Sequence, residues 1–319
     1  MDETLQGESR STFAVAADGD ELVVKLVPGA VGNQWRLVRL VRDLRRRGYP
    51  APEYVGVGES DGTVFTVQRR LPGQILHAGP GMPPPAELFA ALLPSLLAAI
   101  ELQHDAGDLA QPPWPAWLLD TIENGGDGYC LHATMRQSPR TATLLDRLQP
   151  LARRNLRDEA ARTRDVVHFD MNPANILHAG GHLSGVVDWN IPFDGAGQGD
   201  RGFDVATLLF YTYDIERTRE VLWERALSVS GLAWTTVYLC HLSLRQVEWS
   251  RRHSPGSADD ARFMGIAEAV LDDCEALIKS PGRRPRLSRR VLLPRPPGGS
   301  GRRLRAPGDA CPPRLARRA

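Results

Sequence analysis

The sequence predicts an α+β fold, with a small β-rich N-terminal lobe and a larger, mainly helical C-terminal lobe. The first seventy residues alternate short apolar runs with Asp-Gly turns and contain one amphipathic segment. The composition shifts after Leu-Pro-Gly at 71–73, and helical patterns dominate the chain beyond. One polar segment with the pattern of strand and hairpin, residues 166–190, interrupts those helices.

Turn chemistry positions the strands of the N-terminal lobe. The sequences AADGD and ESDGT each carry the Asp-Gly pair of a hairpin turn. The predicted strands are 12–16, 21–27, 54–57 and 63–68. Between the two pairs, residues 33–47 space their apolar side chains about three apart, which predicts an amphipathic helix. The apolar positions are Trp35, Val38, Val41 and Leu44.

The C-terminal lobe is predicted from longer periodic segments. Its predicted helices are 86–106, 141–163, 202–213, 216–229, 233–252 and 257–279. The chain is therefore divided into a first lobe over 1–73, a second over 74–280 and a tail over 281–319.

Charge is distributed unevenly. Residues 281–319 hold 12 of the 39 basic and one of the 38 acidic residues, so residues 1–280 carry 27 basic and 37 acidic side chains, a net charge of −10. An acidic body favours a cationic small-molecule partner and argues against nucleic acid. The tail is rich in Arg, Pro and Gly without apolar periodicity. We expect it to be disordered, either as a solvated appendage or as a weak contact for RNA or another anionic surface.

Nothing in the sequence predicts membrane insertion or secretion. The apolar stretch LFAALLPSLLAAI is interrupted by proline and is shorter than the roughly 20 residues of a membrane span. The start MDETLQGESR is acidic and polar, unlike a secretory signal. Cys130, Cys240, Cys274 and Cys311 form no CxxC pair and no metal-ligand spacing. We therefore expect a soluble cytoplasmic protein with reduced cysteines and no membrane partner.

Lysine is rare in this chain. Only Lys25 and Lys279 occur, whereas arginine occurs 37 times. Lys25 lies in the apolar run ELVVKLV, where a compact ammonium in place of a planar guanidinium indicates a site that needs lysine. A strand lysine that points to solvent is the alternative.

The segment 166–190, VVHFDMNPANILHAGGHLSGVVDWN, has the pattern of a strand, a polar loop and a hairpin. With the turn centred on the glycines at 180–181, Asn175 faces Val186. Asp188 then lies diagonally beyond on the same face, about 7–8 Å away.

This spacing suits one shared cation. Mg²⁺ commonly takes one or two protein oxygens and completes its shell with phosphate oxygens and water. Asp170 lies on a loop at the same end, where it can point at the acceptor of a metal-bound phosphate.

The motif HFDMNPANIL followed by VVDWN resembles the aminoglycoside phosphotransferase family, whose members are relatives of the protein kinases. GDRGFDVATLLFY at 199–211 resembles the family's GDxxxDLA segment, and RRLPG at 69–73 resembles its hinge. The resemblance covers roughly residues 5–280. It implies a protein-kinase-like two-lobed fold, with nucleotide bound by the first lobe and the catalytic loop and substrate site in the second.

The resemblance also implies roles for individual residues. Asp170 would be the catalytic base, and Asn175 and Asp188 the Mg²⁺ ligands. The implied nucleotide contacts are Lys25 on the phosphates, Gly7, Ser9 and Ser11 in a phosphate-covering loop, and Gln68, Arg69 and Leu71 at the hinge. The implied cofactors are Mg²⁺ and ATP, or GTP in place of ATP.

Three other features accompany these residues. Asp204 would brace the catalytic loop from a helix start, with a simple N-terminal cap as the alternative. His168 is interpreted as a structural histidine beneath the loop. Leu37 stands about where the family has a glutamate that pairs with the strand lysine, and Gln34 and Asp43 are the nearby polar residues.

The expected function is that of an ATP-dependent O-phosphotransferase acting on an aminoglycoside or a related cationic antibiotic, and so conferring resistance. Five acidic residues could form an acidic rim that binds such a substrate, or they could be ordinary solvated helix ends. They are Asp194, Asp200, Asp214, Asp259 and Asp260. The alternatives are a metabolic kinase of choline, homoserine or sugar type, and a catalytically degenerate nucleotide-binding protein. A protein kinase is disfavoured because no APE-like segment or long activation loop follows Asp188.

Overall fold

The N-terminal lobe is a four-stranded antiparallel sheet with one helix. The computed structural model describes residues 12–17, 20–27, 30–77, 83–110, 113–156, 164–189 and 197–280. The elements of this lobe are β1 Thr12–Ala17, β2 Asp20–Val27, α1 Val31–Arg46, β3 Tyr54–Ser60 and β4 Thr63–Arg69. The strand order is β1-β2-β4-β3.

Helix α1 lies against β3 and β4. Leu37, Val41 and Leu44 on its inner face are buried. Trp35, which the spacing placed on the same face, is 50% exposed, so that part of the prediction was wrong. The reason is that a helical turn takes 3.6 residues, so position 34, with its buried Gln34, aligns with 37, 41 and 44.

The C-terminal lobe is mainly helical, which confirms the two-lobed α+β fold. It contains β5 Gln74–Ile75, α2 Ala86–Leu102, α3 Trp114–Asn124, α4 His132–Met135, α5 Pro139–Asn155, β6 Asp165–Val166, β7 Ile176–Ala179, β8 His182–Val186, β9 Gln198–Gly199, α6 Gly202–Tyr211, α7 Glu216–His253 and α8 Ala258–Lys279. Helix α6 is buried over nearly its whole length and packs on α7, which in turn packs on α8.

Two helices were not predicted. Helix α3 begins in the proline-rich stretch QPPWP, which looks like a helix breaker, but proline fits the first turn of a helix because that turn's N–H groups have no intrahelical partner. It ends at Gly125, which has φ +95°. The short α4 follows. Helix α5 begins at Pro139 rather than 141, after the cap Ser138, whose hydroxyl accepts a hydrogen bond from the Thr141 amide.

Helix α7 contains the break that the sequence predicts between 229 and 233. Gly231 has φ +74° and ψ 171°, which are not helical values. Among the described residues α7 is the one helix with the length and apolar composition of a membrane span, and 72% of its apolar window is buried inside the protein. The tail 281–319, for which disorder was expected, lies outside the described residues.

The connection between the lobes is bonded to a hairpin of the second lobe. Strand β5 pairs with β7, and Ser184 Oγ on β8 donates a hydrogen bond to Pro72 O, 2.7 Å away. Gly73 has φ +110°, and a Cβ at this position would lie 2.4 Å from His178 O. Only glycine allows the connection to approach the hairpin this closely.

We expect Gly73→Ala to lower the free energy of unfolding by about 3 kcal/mol or more, because it adds a steric clash to the strain of a left-handed backbone. Gly48→Ala is the control, since Gly48 has φ +96° and open space around its Cβ position. That variant should lose only about 1 kcal/mol. Equilibrium urea denaturation measures both. Equal losses of unfolding free energy in the two variants would show that the clash with His178 O does not destabilise the protein.

Candidate active site

The predicted catalytic loop, residues 168–175, is anchored by Asp204, in the first turn of α6. Its Oδ2 accepts hydrogen bonds from the His168 amide and from Gln103 Nε2, both at 2.8 Å, and its Oδ1 accepts from the Phe169 amide at 3.0 Å. Asp204 is completely buried. The residue at the N-cap of α6 is Arg201. The bracing role predicted for Asp204 is confirmed, and the capping alternative is wrong.

Two site residues have left-handed backbone conformations that side chains rarely adopt. Phe169 has φ +67° and Asp188 has φ +63°. The Phe169 ring packs against Trp114 and Phe203, with centroids 5.1 and 5.8 Å away. This packing and the Asp204 hydrogen bond hold Phe169 in place, and they direct the next residue, Asp170, away from the core.

His168 joins the catalytic loop to the strand end that precedes Asp188. Its Nε2 lies 2.7 Å from Val187 O, and its Nδ1 lies 3.3 Å from the amide nitrogen of Asp170. These contacts assign the proton to Nε2 and leave Nδ1 as the acceptor. The residue is buried, and its ring lies 4.7 Å from that of Trp189. The structural role predicted for His168 is confirmed.

Asp170 is oriented by two asparagines. Asn172 Nδ2 donates to its Oδ1 at 2.7 Å, and Asn175 Nδ2 donates to its Oδ2 at 2.9 Å. Asn175 Nδ2 also donates to Asp170 O, 2.9 Å away. Because the amide nitrogen of Asn175 faces two oxygens, its Oδ1 is the atom left to face a cation.

The hairpin has a different register from the one predicted. Asn175 was expected to face Val186, but Val186 pairs with Ile176, and the Val187 amide donates to Asn175 O at 2.9 Å. The register shifts by one between the turn and the loop, which leaves Ser184 as the extra residue of β8. Its hydroxyl is used to bind the connection between the lobes.

Lys25 of the first lobe and Asp188 of the second lobe form an ion pair. Lys25 lies on β2 opposite Thr12 and Thr66, and its Nζ donates to Asp188 Oδ1. The two side chains are 17% and 40% exposed. The solvent-pointing alternative for Lys25 is therefore wrong. A residue from the sheet and one from the hairpin form the rim of a single polar site.

The residues predicted to bind Mg²⁺ have suitable chemistry. Asn175 Oδ1 and the carboxylate of Asp188 are hard oxygen donors, and Mg²⁺ uses few protein ligands beside phosphate oxygens and water. Among the described residues no group of three or more His, Cys, Asp or Glu side chains could hold a metal ion. The donor set therefore fits a cation that binds together with a phosphate chain.

The hinge residues lie at the end of β4 and just beyond it. Gln68 pairs with Val23, and Arg69 forms an ion pair with Glu53. Leu71 packs against Gly185. A Cβ added to Gly185 would lie 2.4 Å from Leu71 Cδ1. Their nucleotide contacts remain predictions. Three other predicted contacts, Gly7, Ser9 and Ser11, lie outside the described residues.

The acidic rim expected after residue 190 is wrong for three of its members. Asp200 and Asp260 are buried, and the side chain of Asp214 is only 7% exposed. Each has an internal partner that removes it from the surface: the Tyr238 hydroxyl for Asp200, Arg262 for Asp214 and Arg251 for Asp260. Asp259 is partly exposed, and Asp194 lies outside the described residues.

Sequence reasoning missed Asn172 and Gln103 as supporting residues. Asn172 had a usable signal, because an asparagine before proline starts a turn, and its Oδ1 accepts from the Ala174 amide at 2.8 Å. Gln103 had none, since its partner Asp204 is 101 residues away in the sequence.

The fold and this polar site define a protein-kinase-like phosphotransferase. The model of the phosphotransferase enzyme family matches residues 3–238, and the chain belongs to that family. A curated relative, hygromycin-B 4-O-kinase from Escherichia coli, is 24% identical over 289 residues, which cover 86% of this chain and 79% of the relative.

Solved structures show the same fold. A thermostable mutant of aminoglycoside phosphotransferase APH(4)-Ia in its apo form matches with a TM-score of 0.62 and 18% identity, over 84% of this chain and 92% of that one. A ternary complex of this enzyme with AMP-PNP and hygromycin B matches with a TM-score of 0.61 and 20% identity, over 82% and 89%. Choline kinase LicA from Streptococcus pneumoniae matches with a TM-score of 0.58 and 13% identity, over 85% and 92%.

The pKa of Asp204 gives a test of its environment. Burial raises this pKa to about 6, in spite of the opposing effects of His168 and the hydrogen bonds. A raised pKa in the folded state means that the contribution of Asp204 to the free energy of unfolding is largest below pH 4. It falls by about 3 kcal/mol as the pH rises through 6.

Asp204→Asn cannot titrate and is the reference. Urea denaturation from pH 4 to 7.5 should show the wild-type protein losing stability relative to the variant as the pH rises. Parallel profiles would mean that burial does not dominate the environment of this carboxyl.

Proposed function

We propose that this protein transfers the γ-phosphoryl group of Mg²⁺-bound ATP, or of GTP, to a hydroxyl of a small molecule. The observation that carries the proposal is the arrangement of two bonded pairs, Asp170 with Asn175 and Lys25 with Asp188, tied together by His168. This arrangement supplies a base, oxygen ligands for a cation and a cation for phosphate. Phosphoryl transfer needs these groups because its catalysis is mainly positioning and charge neutralisation.

Asp170 acts as the base in this mechanism. Its two oxygens are held by amide groups, so the carboxylate presents a fixed edge to an acceptor hydroxyl and takes the proton of that hydroxyl as the new bond forms. The left-handed backbone at Phe169 sets the direction of this edge. No rearrangement of the loop is then needed when the acceptor arrives.

Lys25 and the hairpin residues act on the phosphate chain. Lys25 Nζ holds phosphate oxygens from the side of the sheet and keeps Asp188 oriented. Asn175 Oδ1 and Asp188 would hold Mg²⁺, which supplies neutralisation of the phosphate charge when bound. The retention of all four residues favours an active enzyme over a degenerate nucleotide-binding protein.

We propose an aminoglycoside as the acceptor, which would make the protein an antibiotic-resistance enzyme. The relative named for hygromycin B and the hygromycin B complex of a protein with the same fold support this class. The net charge of −10 over residues 1–280 also favours a cationic acceptor. Because the activity consumes ATP, we infer a cytoplasmic location.

A choline-type metabolic kinase is the second candidate. The observation in its favour is the likeness to choline kinase LicA, which covers 85% of this chain, against 84% for the apo aminoglycoside phosphotransferase structure. Choline is also a cation, so the charge of the body does not separate the two candidates.

The acceptor and the base are tested together. Purified protein is incubated with Mg·ATP or Mg·GTP and a panel that includes hygromycin B, other aminoglycosides and choline, and products are identified by mass spectrometry. We expect one phosphorylated aminoglycoside. Asp170→Asn keeps the shape but loses the base, and should lower kcat by about 100-fold or more with little change in nucleotide affinity. Phosphorylated choline alone would contradict the aminoglycoside proposal.

The role of Asp188 is tested by binding. Asp188→Asn should weaken Mg·AMP-PNP by about tenfold, or about 1.4 kcal/mol, because a neutral amide is a poorer ligand for Mg²⁺. Binding of AMP-PNP in EDTA should change little. Asn172→Ala is the control, since Asn172 contacts Asp170 rather than Asp188. Equal losses with and without Mg²⁺ would show that Asp188 acts on the fold and not on the metal.

A further inference from the structure

Helix α1 offers no carboxylate to Lys25. Leu37, at the place of the expected glutamate, is buried, and so is Gln34. Asp43, the one acidic residue of this helix, has a side chain that is 45% exposed and forms an ion pair with Arg46. The sheet that carries Lys25 is therefore not joined to α1 by the lysine–carboxylate bond that positions such a helix in kinases.

Arg36 joins α1 to the other lobe instead. Its Nε donates to Asp108 Oδ1 at 3.0 Å, and its Nη2 donates to Gln198 Oε1 at 3.1 Å. The side chain of Arg36 is only 16% exposed. A planar guanidinium can donate in two directions at once, so one side chain reaches both acceptors.

Gln198 leads directly to the catalytic loop. It is completely buried, and its amide group makes two hydrogen bonds with the backbone of Leu109, of 2.6 and 2.8 Å. Gln198 pairs with Val166 in the two-stranded sheet of β9 and β6. The Val167 amide donates to Gly197 O at 2.8 Å. Asp170 follows three residues after this last bond.

Packing supports the same connection. A Cβ on Gly197 would lie 3.2 Å from Leu37 Cδ1, so α1 rests on the residue just before Gln198. An acidic residue was expected at the position of Leu37. Leu37 instead makes an apolar contact with the segment beside the catalytic loop. The side of α1 that carries Arg36 and Leu37 thus contacts the second lobe by a hydrogen bond and by packing.

We propose that Arg36 is a positioning residue for phosphoryl transfer. It fixes the distance between the first lobe, which carries Lys25, and the catalytic loop, which carries Asp170, by bonding α1 to Gln198. The proposal rests on the proposed phosphotransferase function. It assigns to an arginine and a glutamine on different lobes the task that a lysine–glutamate pair inside one lobe performs in kinases.

Arg39 provides a matched control. It lies on the same helix and forms an ion pair with the other oxygen of the same carboxylate, Asp108 Oδ2, but its side chain is 63% exposed. Among the described residues its bonded partner is Asp108 and not Gln198. An effect of charge removal on α1 should appear in both variants, whereas an effect on the catalytic loop should appear only for Arg36.

The test uses the full chain and two measurements. Isothermal titration calorimetry gives the affinity for Mg·AMP-PNP, and amide hydrogen exchange reports on residues 165–170. Arg36→Ala should bind about tenfold more weakly, or about 1.4 kcal/mol, and exchange faster over 165–170, whereas Arg39→Ala should stay within about twofold in affinity. Arg36→Lys should be intermediate, since one ammonium cannot reach both acceptors, and it serves as the test if Arg36→Ala does not fold.

Each outcome is decisive. Equal affinity and equal exchange in the Arg36 and Arg39 variants would overturn the proposal while leaving the phosphotransferase function intact. Failure of the wild-type protein to bind Mg·AMP-PNP would overturn the proposed function and any role of Arg36 in transfer. The exchange contrast would then still show whether Arg36 holds the segment 165–170.

Discussion

A buried carboxylate with three hydrogen bonds organises this site. Asp204 holds the amides of His168 and Phe169 and the side chain of Gln103 in the protein interior. Without these bonds the left-handed backbone at Phe169 would relax, since nothing in its own conformation favours it. The direction of Asp170 and the position of His168 under the Asp188 strand both follow from this one anchor.

A second buried carboxylate shows why the environment of Asp204 is unusual. Burial raises the pKa of Asp165, but hydrogen bonds from the Asp105 amide and from Arg201 lower it on balance. Arg201 Nη1 donates to Asp165 at 2.9 Å, so this carboxylate is paired with a cation. Asp204 has amide donors instead, and its pKa is raised. The loop is thus anchored on a carboxylate bonded to amide groups, whereas Asp165 is bonded to a guanidinium.

The local parts of this structure could be predicted from the sequence. The HFDMNPAN loop, the hairpin after it and the lysine strand have short-range signals, because their residues act within a few positions of one another. The break in α7 at Gly231 was also visible. The bulge at Ser184 was not, because the hydrogen bond that accompanies it goes to Pro72, 112 residues away.

The other differences between the prediction and the structure depend on partners that are distant in the sequence. Asp200 and Asp214 look like solvated acids in the sequence, but their partners, Tyr238 and Arg262, lie 38 and 48 residues away. Arg36 is one of several arginines on α1, and Gln198, 162 residues away, distinguishes it from the others. Spacing along the chain carries no information about such contacts. The loop that carries Asp170 and Asn175 could therefore be predicted, and the residues that hold the lobes together could not.

Because lysine is scarce, this chain has few side-chain amines that can react with an acylating reagent. The chain contains two ε-amines, on Lys25 and Lys279, with side-chain exposures of 17% and 76%. An acylating reagent therefore meets one sheltered side-chain amine, bonded to Asp188, and one open amine at the end of α8. The extent of Lys25 acylation, read by peptide mass against Lys279 as an internal standard, reports whether a bound ligand covers Lys25, without any engineered label.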